Sequence, residues 1–269
     1  MKKNDEFYVS YIEGSLGEKT KNRLKKFVFA AILFIVGAAL VFALSQKEFK
    51  NSSFELSSDT KIIGIYHENP YPMLRVQLAE NTYKNVLLLG FGKLSVNPYL
   101  KELKSEVGDL NGKKISIEGN LIYYNGKTLI QITDKEKVFL EAQTAFNIPK
   151  NELLSEMTLE GEVVDPKCYF GVMKPGNGKI HRSCAVLCIS GGIPPVLVAT
   201  DANNLSEYYL LTDIKGNPIH KDILPFVGKP SEIKGVVEKN EDWYTFKIDV
   251  SNIKLLDTPS NIYYDISMQ

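Results

Sequence analysis

The chain repeats itself, and that constrains its fold more than any other feature. LNGKKISIEGNLIYYNGKTLIQI, from Leu110, aligns without gaps on FVGKPSEIKGVVEKNEDWYTFKI, from Phe226, pairing Gly112 with Gly228, Lys113 with Lys229, Ile117 with Ile233, Gly119 with Gly235 and Ile132 with Ile248. An earlier pair, IIGIYHENPY and LEGEVVDPKC, sets Gly64 against Gly161 and Tyr71 against Cys168. Internal similarity at a fixed register predicts two copies of one structural unit. The offset grows from 97 residues in the first pairing to 116 in the second, so the second copy has gained a net 19 residues between Cys168 and Phe226.

Within the first copy, Lys61 to His67, Met73 to Ala79, Asn85 to Phe91, Lys113 to Tyr124 and Thr128 to Thr133 are short alternating or β-branched runs that predict strands. Asn125-Gly126 between LIYY and KTLIQI predicts a two-residue hairpin. A single helix is expected in PYLKELKSEVG, with Asn97 as its cap, Pro98 in its first turn, Tyr99, Leu100, Leu103 and Val107 on one face, and Gly108 as its stop. Three strands, a helix and a hairpin is the order of an OB-fold, a small five-stranded barrel. The predicted class is therefore mainly β, two tandem OB-like barrels. Barrel one is expected over 60–134, a linker with a short helix broken by Pro149 over 135–152, barrel two over 153–255, and a loose tail over 256–269. Lone Trp243 reads as core of the last strand.

Phe27 to Leu44 is 18 consecutive uncharged, overwhelmingly apolar residues, long enough for a membrane span. Lys2, Lys3, Lys19, Lys21, Arg23, Lys25 and Lys26 precede it, whereas only Lys47 and Lys50 closely follow. The positive-inside bias predicts a cytoplasmic 1–26, a span over 27–44, a polar spacer over 45–59 and exported barrels, periplasmic or extracellular, behind the inner (cytoplasmic) membrane. Val41 and Ala43 are small residues suited to signal cleavage, but the long run and the 26 residues before it favour a retained anchor. Acidic and basic residues balance at 32 each, which argues against a nucleic-acid partner.

All three cysteines lie between Cys168 and Cys188, inside the expanded part of the second copy. His181, Cys184 and Cys188 stand at i, i+3 and i+7, so a helical HRSCAVLCIS stopped by Gly191-Gly192 directs all three from one face. Pro175, Gly176 and Gly178 allow the loop to return Cys168 to them. Cys168, His181, Cys184 and Cys188 would form an N/S3 set suited to zinc or copper(I). Asp165 is placed to orient His181, Met173 is a further soft ligand nearby in sequence, and Lys174, Lys179 and Arg182 form a basic rim. Two other readings stay open. Cys168 could form a disulfide with Cys184 or Cys188, leaving one spare thiol in a stapled, non-catalytic interaction module. A thiol-disulfide enzyme would use the low-pKa tendency of a thiol near His181 and a helix N-terminus, although no CxxC is present.

EGEVVDPKCYFGVMKPGNGKIHRSCAVLCISGGIPPVLV resembles a group of membrane-anchored bacterial proteins of unassigned activity. Their exported domain carries a Lys-Cys-Tyr triplet at a strand end, then His-x-x-Cys-x-x-x-Cys and a Gly-Gly-x-Pro turn. The match covers mainly residues 158–200. It implies a bacterial origin and a coherent module built on Cys168, His181, Cys184 and Cys188, and supplies no reaction.

GVMKPGNGKI fails as a phosphate loop, since Met173 stands where the first glycine belongs and Ile180 replaces the metal-binding hydroxyl residue. His67 and His220 read as surface or strand-end residues, and the first copy, with Tyr71 in place of Cys168, as scaffold rather than site. Tyr123, Tyr124, Tyr208 and Tyr209 could line a sugar-binding face, but alternation along strands sends half of each pair into the core. No catalytic group stands out. The functional expectation is a membrane-anchored accessory module that binds a metal or redox centre beside another envelope membrane protein.

Overall fold

A computed structural model describes residues 18–45, 53–142, 146–147, 149–201 and 205–257. The chain forms two units, divided between Glu48 and Phe49. The first contains helix α1, Glu18–Ser45, with no buried residue; it is long and apolar enough to cross a membrane. Phe27, Phe34, Phe42 and Leu44 all lie on its exposed surface, as a lipid-facing helix requires.

The second unit is mainly β. After β1 (Ser53–Phe54) come β2 (Thr60–His67), β3 (Met73–Ala79), β4 (Thr82–Leu89), helix α2 (Asn97–Val107), β5 (Lys114–Tyr124), β6 (Lys127–Gln131) and β7 (Val138–Ala142). The first barrel closes in the order β5-β2-β3-β4-β6-β5, antiparallel except for the parallel β4–β6 pair. The second barrel repeats this with β8 (Glu152–Val164), β9 (Val196–Thr200), β10 (Ser206–Thr212), β11 (Pro230–Asn240) and β12 (Trp243–Ile248), the β10–β12 pair being parallel. Helix α3 (Gly178–Ser190) lies between β8 and β9, and β13 (Lys254–Leu255) extends β11. Both barrels are OB-like.

The repeated residues do equivalent work. A Cβ on Gly119 would meet the Gln131 carbonyl at 2.3 Å, and one on Gly235 would meet the matching Lys247 carbonyl at 2.3 Å. Gly112 and Gly228 both turn with positive φ before their strands. Segment 165–195, containing α3, takes the place that 68–72 has in the first copy. In exchange, the second copy has no α2: a 3-10 turn at Leu224–Phe226 stands between its third and fourth strands.

Asn125 and Gly126 adopt φ of 45° and 80°, making the expected hairpin. Asn97 is the first residue of α2 rather than its cap. Val96 takes the cap position because its side chain is buried in the first barrel with Leu100. The expected linker helix is corrected: Lys135–Lys137 make a 3-10 turn and β7 pairs with β5, since Val138 and Leu140 alternate inward along it. The spacer is likewise not all spacer. Ser53 and Phe54 pair with Tyr123 and Ile122, while 46–52 lie outside the described residues, as do 258–269 of the proposed tail.

Three apolar clusters build this unit. One fills the first barrel around Tyr66, Leu100 and Ile117, and one fills the second around Leu197, Ile233 and Phe246. The third lies on the seam, joining Tyr71, Met73, Leu87, Ile122 and Leu129 of the first copy to Cys168, Phe170, Cys188, Tyr208 and Trp243 of the second.

Candidate metal centre

The site begins where β8 ends. Asp165-Pro166 opens a short helical turn, and the Asp165 Oδ1 accepts from the backbone N–H groups of Lys167 at 3.0 Å and Cys168 at 3.2 Å. This is the cap that an Asp before a helical proline supplies. Cys168–Val172 continue as a single π turn, which carries Cys168 towards the seam. The return is tight: a Cβ on Gly176 would stand 2.4 Å from the Tyr169 Cα. Helix α3 then starts at Gly178, whose N–H donates to the fully buried Glu162 carboxylate on β8. That hydrogen bond ties the start of the helix to the strand beneath it.

Helix α3 delivers the remaining donors. His181 and Cys188 are buried and Cys184 is half-buried. The Cys168, Cys184 and Cys188 Sγ atoms lie within 4.8 Å of one another. Asp165, Cys168 and His181 also present donor atoms within 4.8 Å of one another, so the two groups share Cys168. The thiols are free.

Two atoms here are buried without a hydrogen-bond partner among the described residues, Asp165 Oδ2 and His181 Nε2. They face each other at 3.6 Å, too far for a hydrogen bond. Leaving a buried polar atom unsatisfied costs about 1–3 kcal/mol. Thiols, imidazole and carboxylate are ligands for a borderline cation such as zinc, and the thiols alone suit copper(I). The residues therefore fit a metal ion, and the orphaned atoms give that fit its specific support.

The thiols do not titrate alike. Contact with Cys188, followed by burial, drives the Cys168 thiol upward, so Cys168 keeps its proton and donates it towards the Cys188 sulfur. The same contact lowers Cys188, despite burial and the Asp165 charge. Cys188 is thus the more readily ionised of that pair, the form in which a thiol binds metal.

Two lysines complete the surroundings. The Lys93 ammonium, from the loop after β4, reaches Cys184 Sγ at 3.4 Å. Desolvation is the largest influence and pulls Lys93 down, but the hydrogen bond to Cys184 and the fields of Cys184, Cys188 and Cys168 together outweigh it and the net shift is upward. Lys167 is 4% exposed and donates to the Gly90 carbonyl at 2.9 Å and the Gly92 carbonyl at 2.7 Å, across the seam. Burial lowers it to about 8, against the opposing pull of Asp165, Cys188 and Cys168. The first copy is thus more than scaffold, since its 90–95 loop touches the thiol cluster directly. Nothing in the local spacing around Lys93 announces a partner 91 residues away.

The remaining predicted residues stand outside the cluster. Met173 is 46% exposed. Lys174 donates to the Tyr169 carbonyl at 2.6 Å and stacks over the Tyr124 ring, and burial lowers it to about 8. Lys179 is exposed, and Arg182 packs its Cβ 2.9 Å from where a Gly228 side chain would begin. His67 is a strand-end residue but is buried rather than on the surface, with its Nε2 paired to Asn85 Oδ1 at 3.2 Å. Tyr208 is 1% exposed, so the two tyrosine pairs do not form one open face.

No protein-family model matches the chain, and no curated protein matches it. Fold and site together define a class: a double OB-like barrel with a candidate membrane-spanning helix and, at the barrel seam, a thiol-rich cluster close enough to hold a metal ion.

Proposed function

We propose that this chain is an inner-membrane-anchored envelope module that holds a zinc or copper ion through Cys168, Cys184, Cys188 and a fourth donor from His181 or Asp165. It serves as an accessory to a redox or metal-handling membrane partner. One observation carries the reading: three thiol sulfurs lie together, and one of them, Cys168, also lies with the buried Asp165 carboxylate and His181 imidazole, whose facing atoms have no hydrogen-bond partner among the described residues. A metal held by the thiols would take one of those two atoms as its fourth donor. The asymmetric lysine flanks of 27–44 support an N-terminus in the cytoplasm and barrels outside, and the resemblance over 158–200 supports a bacterial setting.

A second reading rests on the Cys168 and Cys188 sulfurs, which lie within 4.8 Å of each other and within range of an oxidant that could join them. A disulfide would staple the turn after β8 to α3 and leave Cys184 spare, giving a non-catalytic interaction module.

Purifying the full chain in detergent without chelators, then measuring bound metal and free thiols before and after reduction, separates the two. The metal reading expects one ion per chain and three thiols titrated after denaturation, with Cys168→Ala losing the ion. Full occupancy in Cys168→Ala overturns the ligand set. No ion, one disulfide and one thiol establish the stapled module instead.

A further inference from the structure

Among the three sulfurs, Cys184 alone is not buried, and the helix around it faces outward. Ile180 and Leu187, at i−4 and i+3 from it on α3, are 86% and 57% exposed. Cys168 and Cys188 are 8% and 2% exposed and are packed into the seam. The exposed Lys93 ammonium, delivered by the other barrel, stands 3.4 Å from the Cys184 sulfur. An anchored pair of sulfurs and one open corner under a cation make a site with a direction.

Resting on the metal reading above, we propose that Cys184 is the exchange ligand. The ion is handed to and from an anionic, thiol-bearing carrier that approaches at Cys184 and is held there by Lys93. Thiolate-bound metals move between proteins by ligand substitution. A bond from the ion to the incoming sulfur forms, the bond to Cys184 Sγ breaks, and the proton of the incoming thiol passes to Cys184. Charge and atoms balance, and no oxidant or reductant is needed. Cys168 and Cys188, packed in the seam, hold the ion through this first substitution; each is then displaced by a further carrier thiol that gives it its proton, and the third exchange completes the hand-over. Lys93 acts through charge: it attracts an anionic carrier and repels a cationic one, a contrast that added salt weakens.

The test uses two small thiols of opposite charge, glutathione and cysteamine. Full-length protein in detergent is loaded with Zn²⁺, and release to a chromophoric indicator is followed at equal thiolate concentration and low salt. Glutathione is expected to accelerate release by about fivefold or more over cysteamine, an electrostatic preference of the size one nearby charge supplies. Lys93→Met should bring the two rates together, and Lys93→Arg should keep them apart. Cys184→Ser should release zinc faster than wild type and without response to either thiol. Equal acceleration by both thiols in wild type, or an unchanged ratio in Lys93→Met, overturns the proposal while leaving the metal site intact. Failure of wild type to take up either zinc or copper(I) stoichiometrically removes the metal reading and this inference with it.

Discussion

Lys167 is a cation enclosed by protein, and its environment has a measurable cost. Its two carbonyl partners, Gly90 and Gly92, hold the ammonium across the seam, yet burial lowers it from 10.5 to about 8. A lysine whose folded value lies below its unfolded one binds more protons in the unfolded chain at intermediate pH. Stability therefore rises with pH over that interval. Below pH 8 both states are charged and the folded state carries the full penalty, on the order of 3 kcal/mol for a shift of this size. Between pH 8 and 10.5 the penalty fades. Measured by urea unfolding of the metal-free, reduced protein, wild type should gain on Lys167→Met by roughly this amount as pH climbs from 7.5 to 10.5. A difference between the two that stays flat with pH would mean that Lys167 is not depressed. At this scale the sequence was half legible. Cys168, Cys184 and Cys188 were readable from helical spacing and a glycine-rich return. Lys93 and Lys167 were not, because their roles depend on contacts across a seam that no local pattern encodes, and Glu162 reads as an ordinary polar position on a strand until the buried end of α3 is seen above it.

Helix α3 is an element whose two ends are set by different physics. Its start is held by Glu162 beneath Gly178, and its end by Gly191 against the first barrel. Gly191-Gly192 is legible as a helix stop, and the backbone does end there, with the Gly191 N–H donating to Leu187 and Cys188 carbonyls. The steric reason for Gly191 is a different one. Its φ of −77° suits any residue, but a Cβ would stand 1.8 Å from the Lys93 carbonyl oxygen. The Gly191 carbonyl also accepts from the Ser95 N–H at 2.9 Å. Helix and loop thus meet backbone to backbone, which is what brings Lys93 over Cys184. Gly191→Ala must push the two apart and should cost about 2–3 kcal/mol, in the range of overpacking a tight contact. Gly92→Ala has free space around its Cβ but a φ of +64°, and should cost only about 1 kcal/mol. Denaturant midpoints of the two variants check the order, and equal or reversed losses would show that the close approach at Gly191 is not rigid. The strands, the Asn125-Gly126 hairpin and α2 were legible because alternation, turn chemistry, an early helical proline and a glycine stop are local signals. The linker misread as helix was a short charged run whose pairing with β5 is decided by a neighbour in space.

At the scale of the whole second unit, the two barrels share a buried apolar cluster on their seam, and they should unfold as one object. Phe170 packs edge-on against Tyr208, with ring centroids 4.8 Å apart, and Trp243 donates its indole N–H to the Asn85 carbonyl of the first barrel at 3.1 Å. Asn85 in turn binds the Asn240 carbonyl and the Asp242 carboxylate, and Arg75 pairs with Glu241 at 2.7 Å. The repeat made two barrels legible but gave no sign that they would fuse, since Tyr71 and Trp243 read equally well as the private core of each. Tyr71 exposes the difference: its hydroxyl donates to the Leu211 carbonyl of the other barrel at 2.6 Å and lies 3.4 Å from the Ile219 N–H. Tyr71→Phe leaves the ring in place and removes the hydroxyl from the buried Leu211 carbonyl and Ile219 N–H, so it should cost about 1–3 kcal/mol. If the seam couples the barrels, that loss lowers one transition common to both. Trp243 fluorescence, which reports the seam, and far-UV circular dichroism, which reports both sheets, should shift together in urea. Two separated transitions, with only one moved by the substitution, would mean that the barrels fold independently, and that the thiol cluster can lose the Lys93 and Lys167 contacts without either barrel unfolding.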